Sequence, residues 1–296
     1  MALPLPVDKA GLTALDAACS SPHSPASRRC VAQLSSLNVE AQKAHLDLVV
    51  ILNLASLLRC ALSANFAVIC RDTFNVTLVV AAQHGCANTM KLLLDAGADH
   101  RATDPLGFPM LYIAAAEGYA DCVRHLLAAG ADANAINPIE GNTALMNAII
   151  ENHMECVKVL RRASDLRVFS RDGFSALHAC IMTGNLDAFE LLLPLVGDVD
   201  ERTPPNTAPV AGSNNKSGHN KSALHLACEK GQQQMAKALL KRGADRMGRD
   251  GVGRTPLFIA AQHGHLSCCV LLLGQPGKPK MTPAEVDARD TNAWRA

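Results

Sequence analysis

Apolar and polar positions alternate along this chain with a fixed long period. A short apolar block opens on Gly-x-Thr-x-Leu, runs through paired small residues, and closes on a second glycine eleven residues after the first. The fullest copy is Gly253-Arg254-Thr255-Pro256-Leu257-Phe258-Ile259-Ala260-Ala261 with Gly264. Others start at Gly107 (closing at Gly118), Gly141 (closing at Asn152), Gly173 (closing at Gly184) and Asn220 (closing at Gly231). The starts are 34, 32, 47 and 33 residues apart. A second apolar block follows each, with Val123, Leu126 and Leu127 as one inward stripe, and ends on Gly130-Ala131-Asp132, Gly243-Ala244-Asp245 or Gly97-Ala98-Asp99.

The spacing predicts one unit: helix, turn, helix, projecting polar finger. Thr143 or Thr255 before an Ala or Pro is a helix N-cap with a good first-turn residue. Leu and the Ala pair at three- and four-residue spacing make one apolar face. The second glycine ends the short helix, because it tolerates left-handed dihedrals. A repeat of this length makes a stacked array in which each unit contacts its neighbours.

Two stretches break the period. Thr203 to Asn220 makes one unit about fourteen residues longer, and its Pro-, Ser- and Asn-rich composition predicts an extended finger without a core. Gly274 to Pro283 is a Pro- and Lys-bearing loop, after which Val286 to Asp290 resembles the start of another finger. No polar capping helix follows it, so the expectation is a truncated array, a fragment, or an end covered by something else. Upstream, Phe74 takes a first-glycine slot, which predicts a distorted finger. A first copy opens at Gly11 with extra residues around Ser21 to Ser27, and residues 40–70 read as a shortened unit. The expected organisation is degenerate repeats over 1–70, an array of about six units over 71–275, and an incomplete repeat with its loop over 276–296.

Ser222-Ala223-Leu224-His225, Ser175-Ala176-Leu177-His178 and Thr255-Pro256-Leu257-Phe258 resemble the Thr-Pro-Leu-His signature of the ankyrin repeat, a unit of about 33 residues. The resemblance runs well over about 71–275 and loosely over about 8–39. It implies an all-α ankyrin-repeat solenoid with β-hairpin-like fingers, and a scaffold that binds proteins. Phe258, Tyr112 and Met146 stand where the family has His, so those units lose its polar link to a neighbour. Family resemblance also suggests hydroxylation of an Asn such as Asn134, which nothing in the sequence requires.

Composition fits this architecture. The chain is 49% hydrophobic but 3% aromatic, so Ala, Leu and Val make the core. A net charge of +1 from 28 basic and 27 acidic residues gives no long-range pull toward nucleic acid or anionic membrane. The apolar stretch Leu48 to Leu58 is too short for a span of about twenty residues. Met1 to Ala10 lacks a signal-peptide pattern. Of 11 cysteines, Cys122, Cys156, Cys180, Cys228 and Cys268 follow the repeat. They read as small buried hydrophobes with reduced thiols, in cytoplasm or nucleus.

Candidate chemistry is sparse. The 11 histidines form no metal-ligand spacing. His178 and His225 read as satisfied, hydrogen-bonding histidines. Cys19, Cys180 and Cys228 map to inward faces, which leaves no activated nucleophile. Gly248 to Gly253 lies on a finger, without a phosphate-binding pattern. No catalytic residue, cofactor or metal is expected.

What varies is the finger positions flanking the first glycine and the residues just before the second. On a stacked array these line one concave recognition face. The candidate partner-binding residues are Leu106, Phe108, Glu117, Ile139, Glu140, Asn142, Arg171, Asp172, Phe174, Arg254, Gln262 and His263. The competing reading is that packing leaves these slots unconstrained. Leu106, Phe108, Ile139 and Phe174 are expected to be exposed apolar groups on neighbouring fingers, forming a patch that points to a protein partner. The Thr203 to Asn220 loop is either a tolerated insertion or a docking segment, with Thr203, Thr207 and Ser217 as phosphate acceptors. The leading reading is a non-catalytic adaptor. The alternative is the substrate-targeting or regulatory portion of a larger enzyme or complex.

Overall fold

Threonine or serine starts four of the short first helices. In the computed structural model, Thr143 Oγ1 accepts from the Met146 amide and Thr255 Oγ1 from the Phe258 amide, each at 3.3 Å. Ser175 and Ser222 make a reciprocal cap instead, their amides donating to His178 Nδ1 and His225 Nδ1 at 3.2 Å. A left-handed residue ends each short helix. Usually it is glycine, but Asn152 takes that role at φ 60° and Asn220 takes a finger glycine's role at φ 65°. Asparagine is among the few side chains that visit this region readily.

The structure describes residues 71–203 and 220–274. The expected units in 1–70, the loop interior and the incomplete final repeat lie outside the described residues. Two compact bodies divide the chain at Pro138/Ile139. In the first, α1 (Arg71–Gln83), α2 (Ala87–Asp95), α3 (Met110–Ala116) and α4 (Ala120–Ala128) form two helix pairs. Helix α1 packs on α3, and α2 on α4.

The second body contains α5 (Ala144–Ile150), α6 (Met154–Leu160), α7 (Ala176–Thr183), α8 (Leu186–Leu192), a 3₁₀ turn (Leu193–Leu195), α9 (Ala223–Glu229), α10 (Gln233–Lys241), α11 (Pro256–Gln262) and α12 (Leu266–Leu273). The first helices α5, α7, α9 and α11 stack in one layer, and the second helices α6, α8, α10 and α12 in another. The core between them is Leu145, Ile149, Leu160, Ile181, Phe189, Leu192, Leu224 and Leu239, all buried. The framework residues of the repeat therefore do their work in packing.

Among the described residues there is no strand, and the fingers carry only isolated bridges at Thr103–Pro109 and Arg202–Ser222. No described helix is long and apolar enough to cross a membrane.

The Phe74 slot corrects an expectation. Instead of a distorted finger, α1 runs unbroken through it from Arg71 to Gln83. Val76 occupies the capping Thr slot there. With neither a glycine to turn the chain nor a hydroxyl to cap it, the helix extends toward its N-terminus.

Candidate partner-binding face

In three fingers a side-chain acceptor three residues before the first glycine closes the turn. Asp104 Oδ1 accepts from the Leu106 and Phe108 amides at 3.0 and 2.7 Å. Asp250 Oδ1 repeats this with Val252 and Arg254 at 3.0 and 2.8 Å. Ser170 Oγ accepts from Phe174 at 3.2 Å. The same closure spans the long insertion: the Lys221 amide donates to Thr203 Oγ1 at 2.9 Å, and the Thr203 amide to Lys221 O at 3.0 Å. The insertion's ends are thus joined as an ordinary finger base. These acceptors were missed in the sequence, although the signal, a short polar residue ahead of the glycine, recurs there.

Closed fingers hold their tips outward. Leu106 is 70% exposed and Ile139 61% exposed. Glu140, Arg171 and Asp172 are exposed beside Ile139 in the second body, and Asn142 is half-buried, donating to Glu140 Oε2 at 2.7 Å. Arg171 Nη1 donates to Ile139 O at 2.9 Å, which ties two successive fingers together. Glu117, Gln262 and His263 are exposed at first-helix ends.

Two of the four apolar residues expected to be exposed are not. Phe108 is half-buried and stacks on Tyr112, ring centroids 5.5 Å apart, and half-buried Phe174 leans on His178 at 6.3 Å. Each aromatic ring folds back onto its own first helix. The tips that reach solvent are the aliphatic Leu106 and Ile139.

Arg254 is also drawn inward. Its Nε and Nη2 hold Asp250 Oδ2 at 3.0 and 2.9 Å, and the Asp250 side chain is fully buried. Lys221 behaves likewise, pairing with Glu229 at 2.5 Å while buried. The first pair braces a finger against itself, and the second ties a finger to the end of its own first helix.

His225 links neighbouring units. Its Nδ1 accepts from Ser222, so the neutral ring carries its proton on Nε2, which donates to Gly248 O at 3.0 Å and to Arg254 O at 3.2 Å. His178 has the same cap, but its Nε2 has no partner among the described residues. The expectation of two satisfied histidines holds for one. The finger following His178 is the one interrupted by the insertion, and a void of about 10 Å³ bordered by Glu201 lies beside the ring.

Burial pushes the Cys180 thiol up to about 12, which removes the thiolate a nucleophile needs. None of the seven cysteines among the described residues forms a disulfide. No group of three or more His, Cys, Asp or Glu side chains among the described residues is placed to hold a metal ion.

A family model described as ankyrin repeats (3 copies) matches residues 4–137, 111–203 and 208–283. The chain is similar to ankyrin repeat and SOCS box protein 3 of Bos taurus, 31% identical over 142 residues, covering 39% of this chain and 27% of that protein. It is similar to inversin of Canis lupus familiaris, 34% identical over 125 residues, covering 42% of this chain and 10% of that protein. Target of rapamycin complex 2 subunit AVO2 of Saccharomyces cerevisiae is 27% identical over 181 residues, covering 53% and 42%. The chain spans less than half the length of each of these relatives. The crystal structure of the human ASB11 ankyrin repeat domain superposes with a TM-score of 0.55, covering 74% of this chain and 88% of that one at 22% identity, a likeness of fold.

Proposed function

The chain belongs to the ankyrin-repeat family, and on that premise we propose that it is a non-catalytic adaptor, holding a segment of a partner protein against its finger tips and first-helix ends. The observation that carries this reading is the division of labour within each unit. The repeating Leu slot and the first slot of the small-residue pair, Ala or Cys180, are buried in every described unit; those that vary at Leu106, Glu117, Ile139, Glu140, Arg171, Asp172, Gln262 and His263 are exposed. A scaffold fixed by packing presents such side chains with little conformational freedom left to lose on binding. Phe108, Asn142 and Phe174 contribute their half-exposed edges, and Arg254 acts by shaping its finger. The protein works in a reducing compartment, cytoplasm or nucleus, a reading supported by the thiol state of every described cysteine.

The test is affinity purification from cell extract with mass spectrometry. Leu106→Asp and Ile139→Asp are surface changes, expected to shift stability by no more than about 0.5 kcal/mol. At least one protein retained by the wild-type chain should be lost from one of these variants. Full retention of every partner by the folded double variant contradicts the reading.

A second reading makes the array the targeting portion of a larger enzyme or complex. The relative whose name makes it a subunit of target of rapamycin complex 2 favours it. In the same purification, enzyme subunits recovered in fixed stoichiometry separate this reading from a free adaptor.

A further inference from the structure

At three unit junctions, the residue ahead of the second helix covers the left-handed residue of the unit before. A Cβ placed on Gly85 would stand 2.5 Å from the Tyr119 ring, one on Gly184 2.9 Å from Gln232 Nε2, and one on Gly231 2.7 Å from His265 Nδ1. One junction is built differently. Its left-handed residue is Asn152, and the residue above it is Asn185. Asn185 Nδ2 donates to Asn152 Oδ1 at 2.9 Å, while its Oδ1 caps α8 through the Ala188 amide at 3.0 Å. The short asparagine reaches less far than Tyr119, Gln232 or His265 does at those three junctions. A groove of about 380 Å³ opens there, lined by Ile150, Asn152, Thr183, Leu186 and Asp187 among others.

The groove's chemistry selects an occupant. Its apolar wall includes Ile150, 43% exposed, and Met182, beside the lining residue Thr183, is 40% exposed. Asp187 lines it, and exposed Glu151 stands between the lining residues Ile150 and Asn152. Neither carboxylate forms an ion pair among the described residues, and no Lys, Arg or His lines the groove. A purely apolar occupant would strip water from two carboxylates without replacing it. A long cationic side chain satisfies both parts, its alkyl stem on the apolar wall and its charged head at the carboxylates.

We propose that this groove receives an arginine or lysine side chain, flanked by an aliphatic residue, from the partner segment. The stem lies on Ile150 and Leu186, the cation meets Asp187 and Glu151, and the neighbouring aliphatic residue rests against Met182. The inference rests on the adaptor reading above and names the partner's chemistry.

Random peptide display against the intact chain tests it, with two variants as controls. Asn152→Gly with Asn185→Gln installs the Gly184–Gln232 pairing of the next junction and fills the groove without a new backbone conformation. Asp187→Arg reverses an exposed charge. Thermal unfolding checks that both remain folded. The wild-type chain should select peptides with Arg or Lys beside Leu, Ile or Met. A selected peptide should bind each variant at least about tenfold more weakly, and the wild type more weakly as salt rises. Peptides that lack basic residues, or that bind wild type and both variants alike, overturn the groove assignment and leave the adaptor reading standing. A selection that enriches no peptide overturns both.

Discussion

Phe189→Ala is expected to lower the unfolding free energy by about 3–5 kcal/mol, the range for deleting a fully buried aromatic ring. Phe189 is completely buried on α8. The equivalent slots of the flanking second helices hold Val157 and Ala236. The layers on either side are therefore shaped around one large ring flanked by two smaller residues, and a cavity in the middle of the stack cannot close by moving a free end. An array transmits stability from neighbour to neighbour, so the loss should also decouple α5 and α6 from α9 to α12. Urea unfolding followed by circular dichroism should show a lower midpoint and a broader transition. A loss below about 1 kcal/mol would mean that this layer is not the centre of the core.

The second large effect is acid sensitivity from the paired capping histidines. Burial is the main cause that lowers both His178 and His225 from 6.5 to about 4; at His225 the Asp250 carboxylate and the carbonyls of Gly248 and Arg254 oppose it. Both rings are neutral in the fold, with Nδ1 serving as acceptor for the serine amide. Protonation puts a hydrogen on Nδ1 and breaks that cap. Between pH 6.5 and about 4 the unfolded chain binds more protons than the folded one, so stability falls as pH falls through this window. It is fully present above pH 6.5 and levels off below about 4. The linkage amounts to about 2 kcal/mol for each histidine at pH 5 and about 3 kcal/mol at its limit. His178→Gln and His225→Gln should each remove part of the slope. At pH 7 the His225 substitution should cost more, because it also severs the links to Gly248 and Arg254, whereas His178 Nε2 has no such partner among the described residues. Unfolding free energies that stay flat from pH 7 to pH 5 would refute the neutral-ring assignment.

Much of the scaffold was legible because its determinants are local. A glycine, or Asn152, at a left-handed turn and a hydroxyl at a helix start act within four residues of themselves, so a linear period reveals them. Contacts between units are not local. Asn185 lies 33 residues from Asn152, and only their apposition reveals that an unusual residue in one unit is matched by an unusual residue in the next. The slots that vary in sequence also proved to be of two kinds. Ile139 and Asp172 vary and face solvent. Arg254 and Lys221 vary and are held by Asp250 and Glu229, since a side chain can differ from its counterparts by pairing within its own unit as well as by meeting a partner. Phe108 and Phe174 follow the same logic: hydrophobicity in a finger slot does not say whether the ring turns outward or lies back on Tyr112 or His178. His178 itself matches its motif fully and still lacks the expected bond among the described residues, where the following finger is the one that carries the insertion.

The central claim is that the repeated residues build the scaffold and the exposed, varying ones meet a partner. Hydrogen–deuterium exchange of the full chain, alone and with a peptide recovered by display, tests it most directly. Protection should appear in the fingers at residues 139–142 and 171–174, at the first-helix ends at 150–152 and 182–185, and at the first turn of α8, with little change over the outer faces of α10 and α12. Protection confined to the second helices, with the fingers and first-helix ends unchanged, would contradict it.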